Sequence, residues 1–406
     1  MVHGGRVLAR ESNGEVVLLR GALPGERVEA EIERSSGVLQ GDVVAVLEAS
    51  PDRVPVPQHP GLDLGFARYE AQLRIKHEVV LDALRRSGAS TNLAIPEVRP
   101  SPQAWGYRSA IQPAVKRGRL GYRKEGTGDV IYLESDPTAN PALQSAWRIL
   151  ENAELPGSVR EVALRGNHAG ETLAAFIVHK DDPTLVPIAH DLVSAGIAGV
   201  ALAPHDPRGR FRAGKERLAG VREIQDVYGD VTISVSATAF AQPNPEAAGG
   251  LFTALTDWLS PGGRAVELFA GSGVISMHVA SKFDEVIAVE VSNELVVRGR
   301  RDAERLAIDN LRFERGDVRR FEVPSASVLI VDPPRAGLAK PLRQAIHHSD
   351  AATLAYVSCD VATWARDVAA FTQQGWELIS AEPFDFQPHT HHIELLSLLK
   401  REEPSS

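Results

Sequence analysis

RAVELFAGSGVISMHVASKFDEVIAVEVS, residues 264–292, decides the fold. An apolar run stops at two glycines, Gly271 and Gly273, residues at helical spacing follow, and a second apolar run ends in Glu290. Strand, tight turn, helix and strand make one βα unit, and repeated units of this kind build a parallel sheet. The alternation continues through NELVVRGRRDAERLAI, LRFERGD, SVLIVDPP, TLAYVSCD and ATWARDVAAFTQQG. Upstream, NPEAAGGLFTALTDWLS opens with Asn and Pro where a helix wants its cap and first residue. The chain closes with two strands, WELISAEPFD and HIELLSLLKR, joined too briefly for a crossover. One of them must therefore run antiparallel. The fold class predicted for residues 241–406 is α/β, with a mostly parallel, doubly wound sheet.

Outward from this core the pattern changes. Residues 1–50 carry short β-like runs punctuated by Gly and Pro, as in ALPGERV, which predicts a small OB-like β-barrel over residues 1–55. PDRVPVPQHP reads as a stiff linker. YEAQLRIKHEVVLDALRRSG (69–88) is an amphipathic helix ending at Gly88. Residues from 105 to about 235 mix strands with a helix near 185–195, so residues 56–240 form a central α+β region. Of the 406 residues 43% are hydrophobic and 24% charged, enough for a sizeable core. MVHGGRVLAR lacks a signal-peptide core and no apolar run reaches membrane-spanning length, so a cytoplasmic protein is expected. A single cysteine cannot close an intrachain disulfide or build a multi-cysteine metal site. The net charge of −9 disfavours indiscriminate coating of nucleic acid but permits a local basic groove. Residues 1–50, with five Arg and eight acids, make a poor clamp. WGYRSAIQPAVKRGRLGYRK (105–124) suits better: six basic residues and no acids, with Trp105, Tyr107 and Tyr122 available to stack on bases.

Four features carry chemistry. Gly271 and Gly273 let backbone approach a ligand, and Glu290, 19 residues beyond Gly271, suits ribose hydroxyls. Ser276 holds the third glycine position, which favours a nucleoside without phosphates, such as S-adenosylmethionine, over a dinucleotide. A structural glycine turn is the plain alternative. In VDPPRAG (331–337), two prolines fix Asp332 at the end of the fourth strand, where open sheets bind ligands. Cys359 ends the adjacent fifth strand. HTHHIELL (389–396) brings His389, His391, His392 and Glu394 to the start of the last. Three histidines invite a zinc reading, but residues so close on one strand do not all face inward, so no metal is expected. A carboxylate opening an apolar strand suits a general base. One chemistry uses all four. Carbon 5 of a pyrimidine becomes nucleophilic after a thiolate adds to carbon 6. Cys359 attacks, Glu394 removes the carbon 5 proton after methyl transfer, and Asp332 holds the ring or the cofactor.

These segments resemble the RNA uracil-C5 methyltransferase family nearly end to end. GALPGERV and ASPDRV resemble a TRAM domain, and YEAQLRIK and WGYR the family's central region. ATAFAQPNP resembles its FxQxN segment, ELFAGSG its glycine loop and VDPPRAG its DPPR-type loop. YVSCDVATWARD resembles its SCNPxT segment and HTHHIE its HTxHxE ending. The resemblance implies a Rossmann-like class I methyltransferase domain, an S-adenosylmethionine cofactor, and a tRNA or rRNA partner without membrane or obligate protein partners. It makes Cys359 the nucleophile and Glu394 the base. Gln242, Phe269, Glu290, Asp317 and Asp332, with Gly271 and Gly273, would line the methyl-donor and uracil sites. Reaching a paired uracil would require flipping it out.

The chain departs from the pattern in three places. HPGLDLGFARYEAQL lacks the cysteines that hold an iron–sulfur cluster in many relatives, so none is expected. Val274 stands where a polar residue is common. Asp360-Val361 replaces Asn-Pro after the nucleophile, and its charge beside the thiol should disfavour the thiolate. Competing readings are an RNA cytosine-C5 methyltransferase, which wants a second cysteine, an N-methyltransferase, which wants an aromatic residue at Arg335, and a catalytically inert RNA-binding protein.

Overall fold

A computed structural model describes residues 1–2, 4–11, 14–35, 37–124, 127–205, 216–318 and 323–401. Its C-terminal part is a seven-stranded sheet: β1 (Arg264–Leu268), β2 (Glu285–Glu290), β3 (Leu311–Arg315), β4 (Val328–Val331), β5 (Thr353–Ser358), β6 (Trp376–Phe384) and β7 (Glu394–Arg401). The order across the sheet is β3-β2-β1-β4-β5-β7-β6. The first five strands are parallel, and β7 runs antiparallel to both β5 and β6, as the short final connection requires. Strands β1, β2, β4 and β5 are nearly all buried, because helices cover both faces.

Local signals place the helices. Asn244 caps Pro245–Trp258 by accepting from Ala247 N (3.2 Å), with Pro245 in the first turn. Tyr69–Ser87 ends at Gly88 in the left-handed conformation (φ 72°) and buries Ala71, Gln72, Ile75, Lys76, Val79, Val80 and Leu84. That face packs on Val361–Thr372, and Val79, Val80 and Leu84 join one core with Val266, Leu329 and Trp364. The helix precedes the central region in sequence yet closes one face of the C-terminal sheet.

The central part is an eight-stranded sheet running from Ala110–Ile111 to Glu216–Gly220. Helices Pro141–Glu151 and Leu185–Ser194 cover one face through Leu143, Trp147, Leu185 and Leu192. Ala163, Leu173, Ala175 and Ile177 from the other face share a core with Leu251, Phe252 and Phe386 of the C-terminal part. At the N-terminus the anticipated barrel takes the form of a four-stranded sheet with Val7–Arg10 and Arg27–Ser35 at its edges. No helix among the described residues is long and apolar enough to cross a membrane.

One buried ion pair ties helix 69–87 to the loop between β6 and β7. Lys76 Nζ donates to Asp385 Oδ1 at 2.7 Å, with both side chains at most 1% exposed. Removing one partner of a buried pair leaves the other charge uncompensated, which costs roughly 3–5 kcal/mol. Lys76→Met is therefore expected to destabilise by about that amount in urea unfolding. Lys76→Met/Asp385→Leu should be markedly more stable than the sum of the singles; strict additivity would contradict the pairing.

Candidate active site

Topology alone gathers the candidate residues along one edge. Phe269 and Gly271 follow β1, Glu290 ends β2, Asp317 lies just past β3, Asp332 follows β4 and Cys359 follows β5. Because β7 is antiparallel, its first residue, Glu394, lies at the same edge. Ser358 pairs with Leu395, so one further step sets Cys359 level with Glu394 on neighbouring strands, about 5 Å apart by strand spacing.

The glycine turn is built as its sequence requires. Gly273 (φ 77°) caps Val274–Val279, and a Cβ there would lie 2.5 Å from the Phe313 ring. Gly271 (φ 58°) would meet nothing within 4 Å, so that side of the turn is open. Phe269 adopts φ 65°, a strained conformation for a non-glycine residue that marks a constrained site. Glu290 is buried; its carboxylate accepts from Gly271 N (3.0 Å) and Ser292 N (2.7 Å). It keeps lone pairs for two hydroxyls, so the open turn and this acid fit an adenosine-bearing cofactor. Gln242 is half-buried and its carbonyl accepts from Tyr228 Oη (2.8 Å). Asp317 is half-buried at the same strand ends.

Sequence reasoning missed two supports of this edge. Glu267, buried on β1, accepts from both Ser276 N (2.9 Å) and Ser276 Oγ, which explains serine at the third glycine position. Burial holds its carboxyl up at about 8. Asp367 is buried and accepts from Leu338 N (2.8 Å), Tyr356 Oη (2.9 Å) and Arg343 Nη1 (2.6 Å). It thereby fixes the Pro-Pro loop against β5, the strand that carries Cys359. Both acids interrupt apolar faces, a faint signal without a visible partner.

Electrostatically the site disfavours negative charge. Burial pushes the Cys359 thiol up to about 12, the carboxylates of Glu394 and Asp332 add to the rise, and Arg335 opposes it. Burial raises Asp332 to about 7. Burial, then Asp332, holds Glu394 well above the usual carboxylate range, and its Oε2 is buried without a hydrogen-bond partner. An unsatisfied buried carboxyl oxygen is a functional flag rather than a structural asset. Asp360, next to the thiol, also caps Val361–Thr372, its carboxylate accepting from Thr363 N (2.8 Å).

The histidines take different partners, although the His391 and His392 rings lie 4.2 Å apart. His389 is buried, stacks on Trp105 and bonds Gln72; His391 pairs with Asp63; His392 Nε2 accepts from Arg335 Nη2 (3.2 Å). The basic stretch is also redistributed. Tyr107 is buried with its hydroxyl on Pro388 O (3.1 Å), and the Tyr122 hydroxyl donates to Asp136 (2.6 Å), so neither ring is offered for stacking as their sequence context suggested. Trp105 remains exposed.

These charges make a direct prediction for the single thiol. At pH 8.5 Asp332 is ionised, so Asp332→Asn removes a negative charge beside the sulfur and should accelerate iodoacetamide alkylation of Cys359. Arg335→Gln should slow it, and the wild-type rate should keep climbing to at least pH 10. Equal rates in all three proteins, by intact mass, would contradict this electrostatic picture.

Comparison with known proteins agrees with this geometry. Residues 312–402 match the family model described as tRNA (uracil-5-)-methyltransferase. An uncharacterised RNA methyltransferase of Halalkalibacterium halodurans is 28% identical, with 98% of this chain and 95% of that protein covered. Another from Streptomyces avermitilis is 29% identical, covering 98% and 96%. The fold matches a crystal structure of Pyrococcus abyssi tRNA (uracil-54, C5)-methyltransferase in complex with S-adenosyl-L-homocysteine, with TM-score 0.78, 22% identity, and 97% and 100% of the two chains covered. The chain is thus similar over nearly its whole length to proteins named RNA methyltransferases, and over residues 312–402 to the tRNA (uracil-5-)-methyltransferase family.

Proposed function

We propose that the protein methylates carbon 5 of a uridine in structured RNA through a covalent Cys359 adduct, with tRNA the first substrate to test. The observation that carries this reading is the register that sets a half-buried thiol level with a buried, hydrogen-bond-deficient carboxyl, beside Asp332.

S-adenosylmethionine would be held by the turn at Gly271 and Gly273, Glu290, Asp317, Phe269 and Gln242, and would supply an electrophilic methyl group, leaving as S-adenosylhomocysteine. Cys359 Sγ bonds to carbon 6 of the uracil while its proton passes to a neighbouring carboxylate. The electron pair of the 5,6 double bond moves toward carbon 5 and the O4 side, giving an enolate that takes the methyl group. Glu394 then removes the proton from carbon 5, the double bond re-forms and the carbon–sulfur bond breaks, returning the thiol. A carboxyl raised by burial makes Glu394 a stronger base once ionised. Asp332 orients the ring or the cofactor, and Arg335 stabilises the anionic sulfur.

Two variants and one titration test the sequence of steps. Cys359→Ala should bind S-adenosylmethionine yet form no 5-methyluridine in digested RNA. Glu394→Gln should accumulate a methylated protein–RNA adduct that survives a denaturing gel, because the carbon 5 proton has no acceptor. Methylation persisting in Cys359→Ala would contradict the mechanism. Because burial raises both the Cys359 thiol and the Glu394 carboxyl, the single-turnover rate should rise with pH from 6 to 9. A rate that falls above pH 7 would contradict those upward shifts.

A further inference from the structure

Five tryptophans occur in the chain. Trp147, Trp364 and Trp376 are fully buried and Trp258 is half-buried, whereas Trp105 is 39% exposed. A single exposed ring is ordinary; its mounting is not. The indole lies on the His389 imidazole with centroids 3.6 Å apart and an interplanar angle of 19°, and Tyr69 sits 6.3 Å beyond that imidazole.

His389 is held through its backbone and Nδ1. Its N–H donates to Gln72 Oε1 (2.7 Å), its carbonyl accepts from Leu64 N (2.9 Å), and its Nδ1 meets Gln72 Nε2 (3.0 Å). Its backbone is in the left-handed region (φ 68°), and burial lowers the ring to about 4, so it is uncharged at neutral pH. The support under Trp105 is thus a fixed, neutral, flat surface. It lies five residues before Glu394 on the same loop.

Among the described residues the exposed large apolar side chains include two aromatics, Trp105 and Phe240. Both stand on segments bound to the 385–393 loop: Tyr107 reaches Pro388 O, and Asn244 Nδ2 reaches Phe386 O (3.0 Å). Aliphatic exposed residues lie elsewhere on the sheets and helices, so exposed aromatic area concentrates around the loop that delivers Glu394. Arg108, three residues beyond Trp105, donates to Gln387 Oε1 of that loop (2.8 Å) and adds positive charge.

A uracil drawn out of its stack leaves neighbouring bases without a partner on one face, and an aromatic platform supplies one regardless of base identity. Resting on the RNA-methylation reading above, we propose that the outward face of Trp105, backed by His389, is a stacking platform for a nucleobase adjoining the target uridine.

The test titrates an unmodified tRNA transcript into wild-type protein, Trp105→Phe and Trp105→Leu. Tryptophan emission, RNA affinity by filter binding and S-adenosylmethionine affinity by calorimetry are followed together. Wild-type emission should be quenched, and Trp105→Phe should lose the quench while keeping most of its affinity. Trp105→Leu should bind RNA roughly tenfold more weakly, the order expected from losing one base–aromatic stack, with KM for RNA raised and kcat nearly unchanged. Unchanged cofactor affinity establishes that the variants fold. Full quenching in Trp105→Phe, or wild-type RNA affinity in Trp105→Leu, overturns the platform while leaving the methylation reading intact. Wild-type protein that neither binds nor methylates RNA overturns both.

Discussion

A lysine ammonium and an aspartate carboxylate shut away from water hold together a site drawn from three parts of the chain. Lys76 sits on the apolar face of helix 69–87, and Asp385 opens the loop between β6 and β7. Desolvating two charges makes such a pair a poor net stabiliser. What it supplies is a fixed position for a loop that must deliver Glu394 to the carboxyl ends of strands running the other way. The same loop receives Asp63 and Gln72 from the N-terminal side, Tyr107 and Arg108 from the central region, and Asn244 from the segment before Pro245–Trp258. Nearly every part of the protein thus contributes to the placement of one carboxyl group.

The resting site holds its protons tightly. Burial raises the thiol, Asp332 and Glu394 together, so each gives up its proton less readily than a free group although the proposed chemistry needs anions. On that mechanism the thiol is latent until a pyrimidine lies against it and a carboxylate can take its proton. A latent nucleophile guards a lone cysteine against stray alkylation and oxidation. Arg335 is the charge that works in the opposite direction, and its contact with His392 keeps it at the rim of the site.

Much of this was legible in the sequence wherever the signal was periodic or positional. Alternating apolar runs and glycine turns gave the parallel sheet, and strand ends put Asp332 and Cys359 on adjacent strands before any coordinates. The short final connection predicted that one of the last two strands runs antiparallel; that it is β7, which brings Glu394 to the site edge, came from the structure. What stayed hidden were partnerships between distant residues. Lys76 reads as an ordinary helix cation, because its partner is 309 residues away. Glu267 and Asp367 drew no reading from the sequence, although each is buried and organises a turn. Asp360 was read only as a charge beside Cys359, whereas its carboxylate also caps the helix that follows by accepting from a free N–H. Tyr107 and Tyr122 read as stacking rings because composition cannot distinguish an aromatic edge facing water from one facing the core.

The covalent bond between Cys359 and carbon 6 is the claim on which the account depends, and RNA carrying 5-fluorouridine tests it most directly. Fluorine cannot leave as a proton, so the account predicts a methylated adduct of protein and RNA, visible by intact mass and absent in Cys359→Ala. Ready methylation of ordinary RNA with no adduct on the fluorinated RNA would contradict it.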